Sequence, residues 1–222
     1  MWENPPQKLI LNNNDVHIWL LDINEFLSEN IVSYFDILSS DEQEKFNTFS
    51  RKLQGHRFLI NRAYLRIILA QYLQISPQEI LFNYSQKGKP SLNIKTNPEK
   101  IYFNVSHKYN YTIYAIARKN LGIDLEKIDP QVNIQKIAQR FFCLEEYECL
   151  KQLNSQDKAK YFFTLWTIKE AYLKSIGEGL SGGLNSIYIN LLQQKLNYQL
   201  INYQEKKKLI AILKHGIYLK TI

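Results

Sequence analysis

At 222 residues, the chain is long enough to bury the core of one large domain or of two small ones. Its composition, 45% hydrophobic and 22% charged, is that of an ordinary globular protein and excludes a disordered or fibrous chain. The formal net charge of +7 favours an anionic partner, which leaves a nucleotide-like ligand, an acidic protein, nucleic acid and a membrane surface open.

Cysteine usage and the N-terminal residues bear on location. The only cysteines are Cys143 and Cys149, and no Cys/His cluster has the spacing of a zinc site, so we predict two reduced packing residues. Residues 1–7 lack the basic and apolar regions of a signal peptide, and no run of about 18 apolar residues occurs. We therefore expect a cytoplasmic protein that is neither exported nor membrane-spanning.

The first half of the chain alternates between strand and helix patterns. Residues 16–21 favour a strand, and Ser39 or Ser40, ahead of acidic residues, predicts the start of a helix. Residues 78–100 are polar and rich in turn formers, and residues 101–117 are β-branched and aromatic. A second helix, ended by Ser76 and Pro77, is predicted from an apolar stripe at i, i+3, i+4 and i+7: Leu65, Ile68, Leu69 and Tyr72.

The second half begins near residues 117–121, where no Gly/Ser or Pro linker marks the change. Residues 121–125 are a short apolar strand candidate. Helical patterns follow over residues 134–153 and 156–176, the latter stopped by Gly177 and Gly179. The last predicted pieces are four β-like runs: residues 186–191, 196–203, 208–213 and 217–219.

Asp124 and Glu126 are the first candidates for chemistry. Side chains alternate along a strand, so both carboxylates would project to one face and repel each other unless a cation lay between them. Oxygen ligands of this kind suit magnesium. The alternative is a solvated face of an edge strand, which is the usual explanation of an isolated D-x-E pattern.

The helix predicted over residues 156–176 carries a second candidate group. Trp166, Glu170 and Lys174 follow at i, i+4 and i+8 and form one stripe. A Glu followed by Lys four residues later is also a common surface pair, worth roughly 0.2–0.5 kcal/mol. The packing residues are predicted on the remaining face: Phe162, Leu165, Leu173 and Ile176.

His107 and a group of basic residues complete the candidates. For His107, a core histidine, a zinc ligand and a phosphate contact are open; scattered histidines argue against zinc, and Ser106-His107 lacks the G-x-S-x-G pattern of a hydrolase. A basic helix face is usually solvated, but a phosphate ligand would need such donors. The basic residues are Lys45, Arg51, Lys52, Arg57, Arg62, Arg66, Lys87 and Lys89.

In the order of its motifs, the chain resembles the 4'-phosphopantetheinyl transferases of the large, surfactin-synthetase-activating type. The resemblance covers roughly residues 39–190. It is carried by GKP at 88–90, FNVSH at 103–107, GIDLE at 122–126, FF at 141–142, EEY at 145–147, WTIKEA at 166–171 with Lys174, and GEGLS at 177–181.

The resemblance implies a reaction, in which the phosphopantetheine arm of coenzyme A moves to a serine of an apo carrier protein and adenosine 3',5'-bisphosphate is released. It implies that Asp124, Glu126 and Glu170 bind magnesium, with manganese as a substitute. Glu170 would also be the base, and Lys174 would steady the pyrophosphate. Further contacts to coenzyme A are implied for two groups: Ser106 and His107 at the phosphates, and Lys45, Arg57 and Lys89 at the 3'-phosphate and adenosine end.

The implied fold is of the α/β (α+β) class, with two similar subdomains about a pseudo-twofold axis and the ligand in the cleft between them. Each subdomain would be a small antiparallel sheet packed with a long helix, over residues 1–118 and 119–222. Members of this type are typically monomers and take acidic helical carrier proteins as partners, so we expect neither nucleic acid nor a membrane. Which carrier is served, in fatty-acid, polyketide or nonribosomal-peptide synthesis, is left open.

One departure and two alternatives stand beside this interpretation. Residues 42–44 read EQE where relatives often carry a further basic residue, so Arg51 or Lys52 is the alternative for the 3'-phosphate clamp. A magnesium-dependent nuclease or phosphatase would also use clustered acids, normally with more of them. A nucleic-acid-binding module is suggested by the charge and by 15 tyrosines.

Overall fold

The computed structural model describes residues 8–26, 31–179, 183–191 and 198–202. These residues divide between Asn120 and Leu121 into two compact units, here called the first unit and the second unit. Both mix helices with small antiparallel sheets, as the predicted fold class requires. The pseudo-twofold relation between two subdomains stays a prediction.

A three-stranded antiparallel sheet forms the centre of the first unit, in the order β1-β5-β4. The predicted strand over residues 16–21 and the predicted β region over 101–117 are confirmed. β5 is the middle strand, and six of its seven residues are buried, as expected for a strand covered on both faces. The strands are β1 (Val16–Asp22), β4 (Tyr102–Lys108) and β5 (Tyr111–Ala117).

Helices α1 (Val32–Phe35), α2 (Ser40–Asn47) and α3 (Lys52–Leu73) belong to the same unit. The predicted start at Ser39 is confirmed, because Ser39 and Glu42 form a reciprocal capping box. The predicted end of α3 before Pro77 is also confirmed, with Gln74 as its left-handed C-cap.

A short hairpin, β2 (Phe82–Tyr84) and β3 (Pro90–Leu92), follows α3 and presents the GKP turn. Between α3 and the strands lies the main core of the first unit. Its fully buried members come from several segments: Leu21, Ile23, Ile60, Ile68, Leu69, Ile80, Tyr114 and Ile116.

The second unit is built on the long helix α6 (Ser155–Ile176), which ends at Gly177 in the left-handed conformation, as predicted. The single helical region predicted over 134–153 is instead two helices, α4 (Ile134–Phe141) and α5 (Leu144–Gln152). Phe142 is extended at the break, where its side chain stacks on Phe162 in the core of this unit.

Strands β6 (Ile187–Leu191) and β7 (Tyr198–Asn202) pair antiparallel in the second unit, which confirms two of the predicted β runs. The runs at 208–213 and 217–219 lie outside the described residues. None of the described helices has both the length and the apolar character needed to cross a bilayer.

Three sequence predictions were wrong in detail. Residues 121–125, predicted as a strand, are not among the described strands. Ile176 does not pack inside, since it is the last residue of α6 and is 41% exposed. Both cysteines are free, as expected, but Cys149 is exposed and fills no core space.

Candidate functional site

Asp124 and Lys174 meet in the second unit. The Lys174 ammonium donates to Asp124 Oδ1, with 2.6 Å between the atoms. The Asp124 side chain is 6% exposed and that of Lys174 is 31% exposed, so the ion pair lies at the edge of the protein interior. A carboxylate this buried needs a positive partner, because desolvation disfavours its charged form.

Glu170 lies one helical turn before Lys174 on α6 and belongs to the same electrostatic group. Burial raises the pKa of Glu170, and the nearby carboxylates of Asp124 and, more weakly, Glu126 raise that pKa further, whereas Lys174 lowers it. The predicted acids and lysine therefore interact within one unit, although Asp124 and Glu126 come from a loop and Glu170 from a helix.

Gly122 explains how this loop is held beside the helix. A Cβ at this position would lie 1.8 Å from the Ala171 carbonyl oxygen and 2.6 Å from the Ser175 amide nitrogen. Only glycine allows such a close approach of two backbones. The close approach of the Gly122 backbone to α6 therefore helps to set the position of the Asp124 segment.

The donors suit a hard divalent cation, which binds oxygen ligands and would relieve the mutual repulsion that raises the pKa of Glu170. Over the residues that the structure describes, however, no three His, Cys, Asp or Glu side chains are grouped closely enough to hold a metal ion. The ligand set of Asp124, Glu126 and Glu170 stays a prediction.

Lys169, next to Glu170, has a different role that sequence reasoning missed. Its ammonium lies 2.8 Å from Glu146 Oε2 and also donates to the carbonyl oxygens of Leu184 and Ile187. Neither side chain of this ion pair is exposed. The sequence signal for this buried ion pair was a lysine placed among the apolar positions of α6 that are buried.

Among the predicted cofactor contacts of the first unit, Arg57 and Lys45 both lie on helices. Arg57, on α3, donates to Asn110 in the turn between β4 and β5, close to the strand end that carries Ser106 and His107. Lys45 is exposed on α2, and its ammonium lies 5.4 Å from the centre of the Phe58 ring.

Ser106 and His107 are neighbours on β4, so their side chains project to opposite faces of the sheet. Ser106 is buried and His107 is exposed. Lys89 lies in the GKP turn, where its ammonium donates to Asn120 Oδ1 over 3.2 Å and burial lowers its pKa. That these residues bind a cofactor stays a prediction.

Glu42 lies in the EQE segment and has a structural role. Its carboxylate is 2.6 Å from both Arg62 Nε and Arg66 Nε, and all three side chains are largely buried. Arg66 further donates to the carbonyl oxygens of Pro77 and Ile80. Arg62 and Arg66, counted above as basic residues for a phosphate, are thus engaged within the fold.

The chain thus combines two α/β units with a buried aspartate, a lysine paired with it and a neighbouring glutamate. Two family models match it: residues 120–216 match the 4'-phosphopantetheinyl transferase superfamily, and residues 27–119 match the N-terminal region of 4'-phosphopantetheinyl transferases.

Individual relatives agree with the family models. The transferase HetI of Nostoc sp. is 36% identical, over 81% of this chain and 76% of the relative. The transferase gsp of Aneurinibacillus migulanus is 33% identical, over 89% and 73%. The transferase Sfp of Bacillus subtilis is 32% identical, over 72% and 69%. The chain belongs to the Sfp type of the 4'-phosphopantetheinyl transferase family, which confirms the predicted family and enzyme class.

Proposed function

We propose that this enzyme transfers the 4'-phosphopantetheine arm of coenzyme A to a serine of an apo acyl or peptidyl carrier protein, and that it requires magnesium. The observation that carries the proposal is the group formed by Asp124, Glu170 and Lys174 in a chain of this family. Family membership favours this reaction over the nuclease, phosphatase and nucleic-acid-binding alternatives.

In the proposed reaction, the carrier serine oxygen forms a bond to the phosphorus next to pantetheine. The bond between that phosphorus and the bridging oxygen of the diphosphate breaks. Glu170 accepts the serine proton. Its raised pKa suits this role, because a general base works best when its pKa lies nearer the working pH. Lys174 stabilises the charge that develops on the leaving oxygen of adenosine 3',5'-bisphosphate.

Asp124, Glu126 and Glu170 would hold the metal ion. When bound, magnesium supplies charge neutralisation at the diphosphate oxygens. In the first unit, Arg57, Lys45 and Lys89 are the proposed contacts of the 3'-phosphate and adenosine end, and Ser106 and His107 those of the phosphates. Arginine suits the 3'-phosphate because its planar guanidinium can donate two parallel hydrogen bonds.

We also propose that the two units are the duplicated halves of the family fold, related by a pseudo-twofold axis, in a monomeric enzyme. Helices α3 and α6 each have 22 residues and each end in a left-handed C-cap, which supports duplication. The partner is an acidic helical carrier protein, to which the +7 net charge is complementary.

Intact-mass analysis tests the reaction. Incubation with coenzyme A, magnesium and a panel of apo carrier proteins should add the mass of one phosphopantetheine arm to at least one carrier. A well-folded enzyme that modifies none of the panel contradicts the proposal. Asp124→Asn and Glu170→Gln should abolish transfer and leave the fold intact, whereas Glu148→Gln, at a partly exposed acid of α5, should transfer normally.

The 3'-phosphate contact has its own test. Arg57→Ala should weaken the binding of coenzyme A more than that of dephospho-coenzyme A, because only the former carries the 3'-phosphate. An equal loss for both ligands rejects the role of Arg57. Arg51→Ala and Lys52→Ala, measured in the same way, test the alternative clamp.

A further inference from the structure

We propose that Lys174 is a built-in competitor of the metal ion: in the ligand-free chain its ammonium occupies the place beside Asp124 that the cation takes in the working enzyme. Metal binding must then move Lys174 away from Asp124. This inference rests on the proposed function, since it assumes that Asp124 is a metal ligand.

Lys174 forms an ion pair with Asp124. The 2.6 Å between Lys174 Nζ and Asp124 Oδ1 is a short, charge-assisted contact. Because the Asp124 side chain is 6% exposed, water compensates little of its charge, and Lys174 is its counter-charge in this state. A cation that binds Asp124 must replace a contact that already stabilises the carboxylate.

Glu170, the second carboxylate, lies one helical turn before Lys174 on α6. The positive charge of Lys174 is therefore near both carboxylates that the metal would bind. A divalent ion placed at the same oxygens would repel the ammonium strongly at this short range. The ammonium and the metal ion are therefore alternative partners of Asp124.

The Lys174 ammonium is able to move away from Asp124. Its side chain is 31% exposed and ends in a flexible four-carbon stem, so the ammonium can turn to another anion without a change in α6. A diphosphate ligand provides such an anion. A ligand that attracts Lys174 also exposes Asp124 to the metal, so metal and diphosphate should bind with positive coupling.

The test measures Mn²⁺ binding by the loss of the free-ion electron paramagnetic resonance signal, without coenzyme A or carrier. Lys174→Met should bind Mn²⁺ about tenfold more tightly than the wild type, because it removes the competing cation. Lys127→Met is the matched control: it removes an exposed charge three residues from Asp124 and should have a much smaller effect. Asp124→Asn should abolish the difference between Lys174→Met and the wild type.

Equal or weaker Mn²⁺ binding by Lys174→Met overturns the inference, and so does an equal gain from Lys127→Met, which would show only a general charge effect. Lys174→Gln repeats the test if the Met variant does not fold. A second test uses the wild type and needs no variant: magnesium should increase the labelling of Lys174 by an amine-reactive reagent. Unchanged or reduced labelling contradicts the release of Lys174 from Asp124.

The transfer assay separates this inference from the proposed function. If the wild type modifies a carrier but Lys174→Met gains no Mn²⁺ affinity, the inference fails and the proposed function stands. If no version binds Mn²⁺ and the wild type transfers nothing to any carrier, both fail.

Discussion

Lys169 and Glu146 form an ion pair in the interior of the second unit, with 2.8 Å between Nζ and Oε2 and no exposure of either side chain. Glu146 also accepts hydrogen bonds from the backbone amides of Cys143 and Ile189. The pair thus links α6, the start of α5 and β6. Because α6 carries Glu170 and Lys174, this buried pair supports the helix that presents the candidate site.

Loss of one partner of this pair should be severe. Lys169→Met leaves the Glu146 carboxylate buried without its counter-charge, and we expect the free energy of unfolding to fall by about 3–5 kcal/mol in urea titrations. The double variant Lys169→Met/Glu146→Gln should recover a large part of the loss. Lys151→Met removes a surface lysine paired with Glu148 and should change stability little. A similar effect of Lys169→Met and Lys151→Met would contradict the structural role.

Glu42 should be equally important in the first unit. Glu42→Gln removes the negative charge between Arg62 and Arg66 and should lower the free energy of unfolding by about 3–5 kcal/mol, since the Arg66 guanidinium is buried. The matched control is Glu44→Gln, two residues along the same helix at an exposed position, which should stay close to the wild type. Chemical denaturation measures the free energy of unfolding of both variants, and equal values would contradict the structural role of Glu42.

Gly122→Ala should displace the loop that carries Asp124. Its Cβ would lie 1.8 Å from the Ala171 carbonyl oxygen, so the loop must move away from α6. We expect a loss of stability on the order of 1–3 kcal/mol and a fall in transfer activity. Gly179→Ala serves as the control, because no atom of the described residues lies within 4 Å of its added Cβ. Wild-type activity in Gly122→Ala would show that the close approach does not position Asp124.

His17 should make stability depend on pH. Burial lowers the pKa of His17 below 6.5, opposed by the charge of Asp15, and the ring nitrogen Nδ1 lies 2.8 Å from the Tyr72 hydroxyl. Between pH 7.5 and 5.5 the unfolded chain therefore takes up the proton more readily than the folded chain. The free energy of unfolding should fall as the pH drops through about 6.5, by at most about 1.4 kcal/mol per pH unit.

The variant His17→Gln removes this titration, so its stability should change less across the same pH range. His107→Gln, at an exposed histidine, should retain the slope of the wild type. Equilibrium unfolding at several pH values measures both. An unchanged slope in His17→Gln would show that another group carries the pH dependence.

The local elements of this protein follow from short-range rules that act within a few residues. The capping box at Ser39 and Glu42 begins α2, and the left-handed glycine at 177 ends α6, so both helix ends were predictable. Residues 121–125 show the limit of such rules. Their apolar pattern suits a strand, but they are not among the described strands, and the close approach of Gly122 to α6 is a contact that no local pattern predicts.

The sequence by itself determined the order of the motifs, and with it the family, because motif order does not depend on how the chain is packed. Only the tertiary structure decided which charges are buried. Lys169 and Glu170 are adjacent in the chain but project about 100° apart around the helix. One lysine therefore enters the interior to meet Glu146, whereas Glu170 stays beside Asp124 and Lys174. Their partners come from distant segments, and only folding brings those segments within reach.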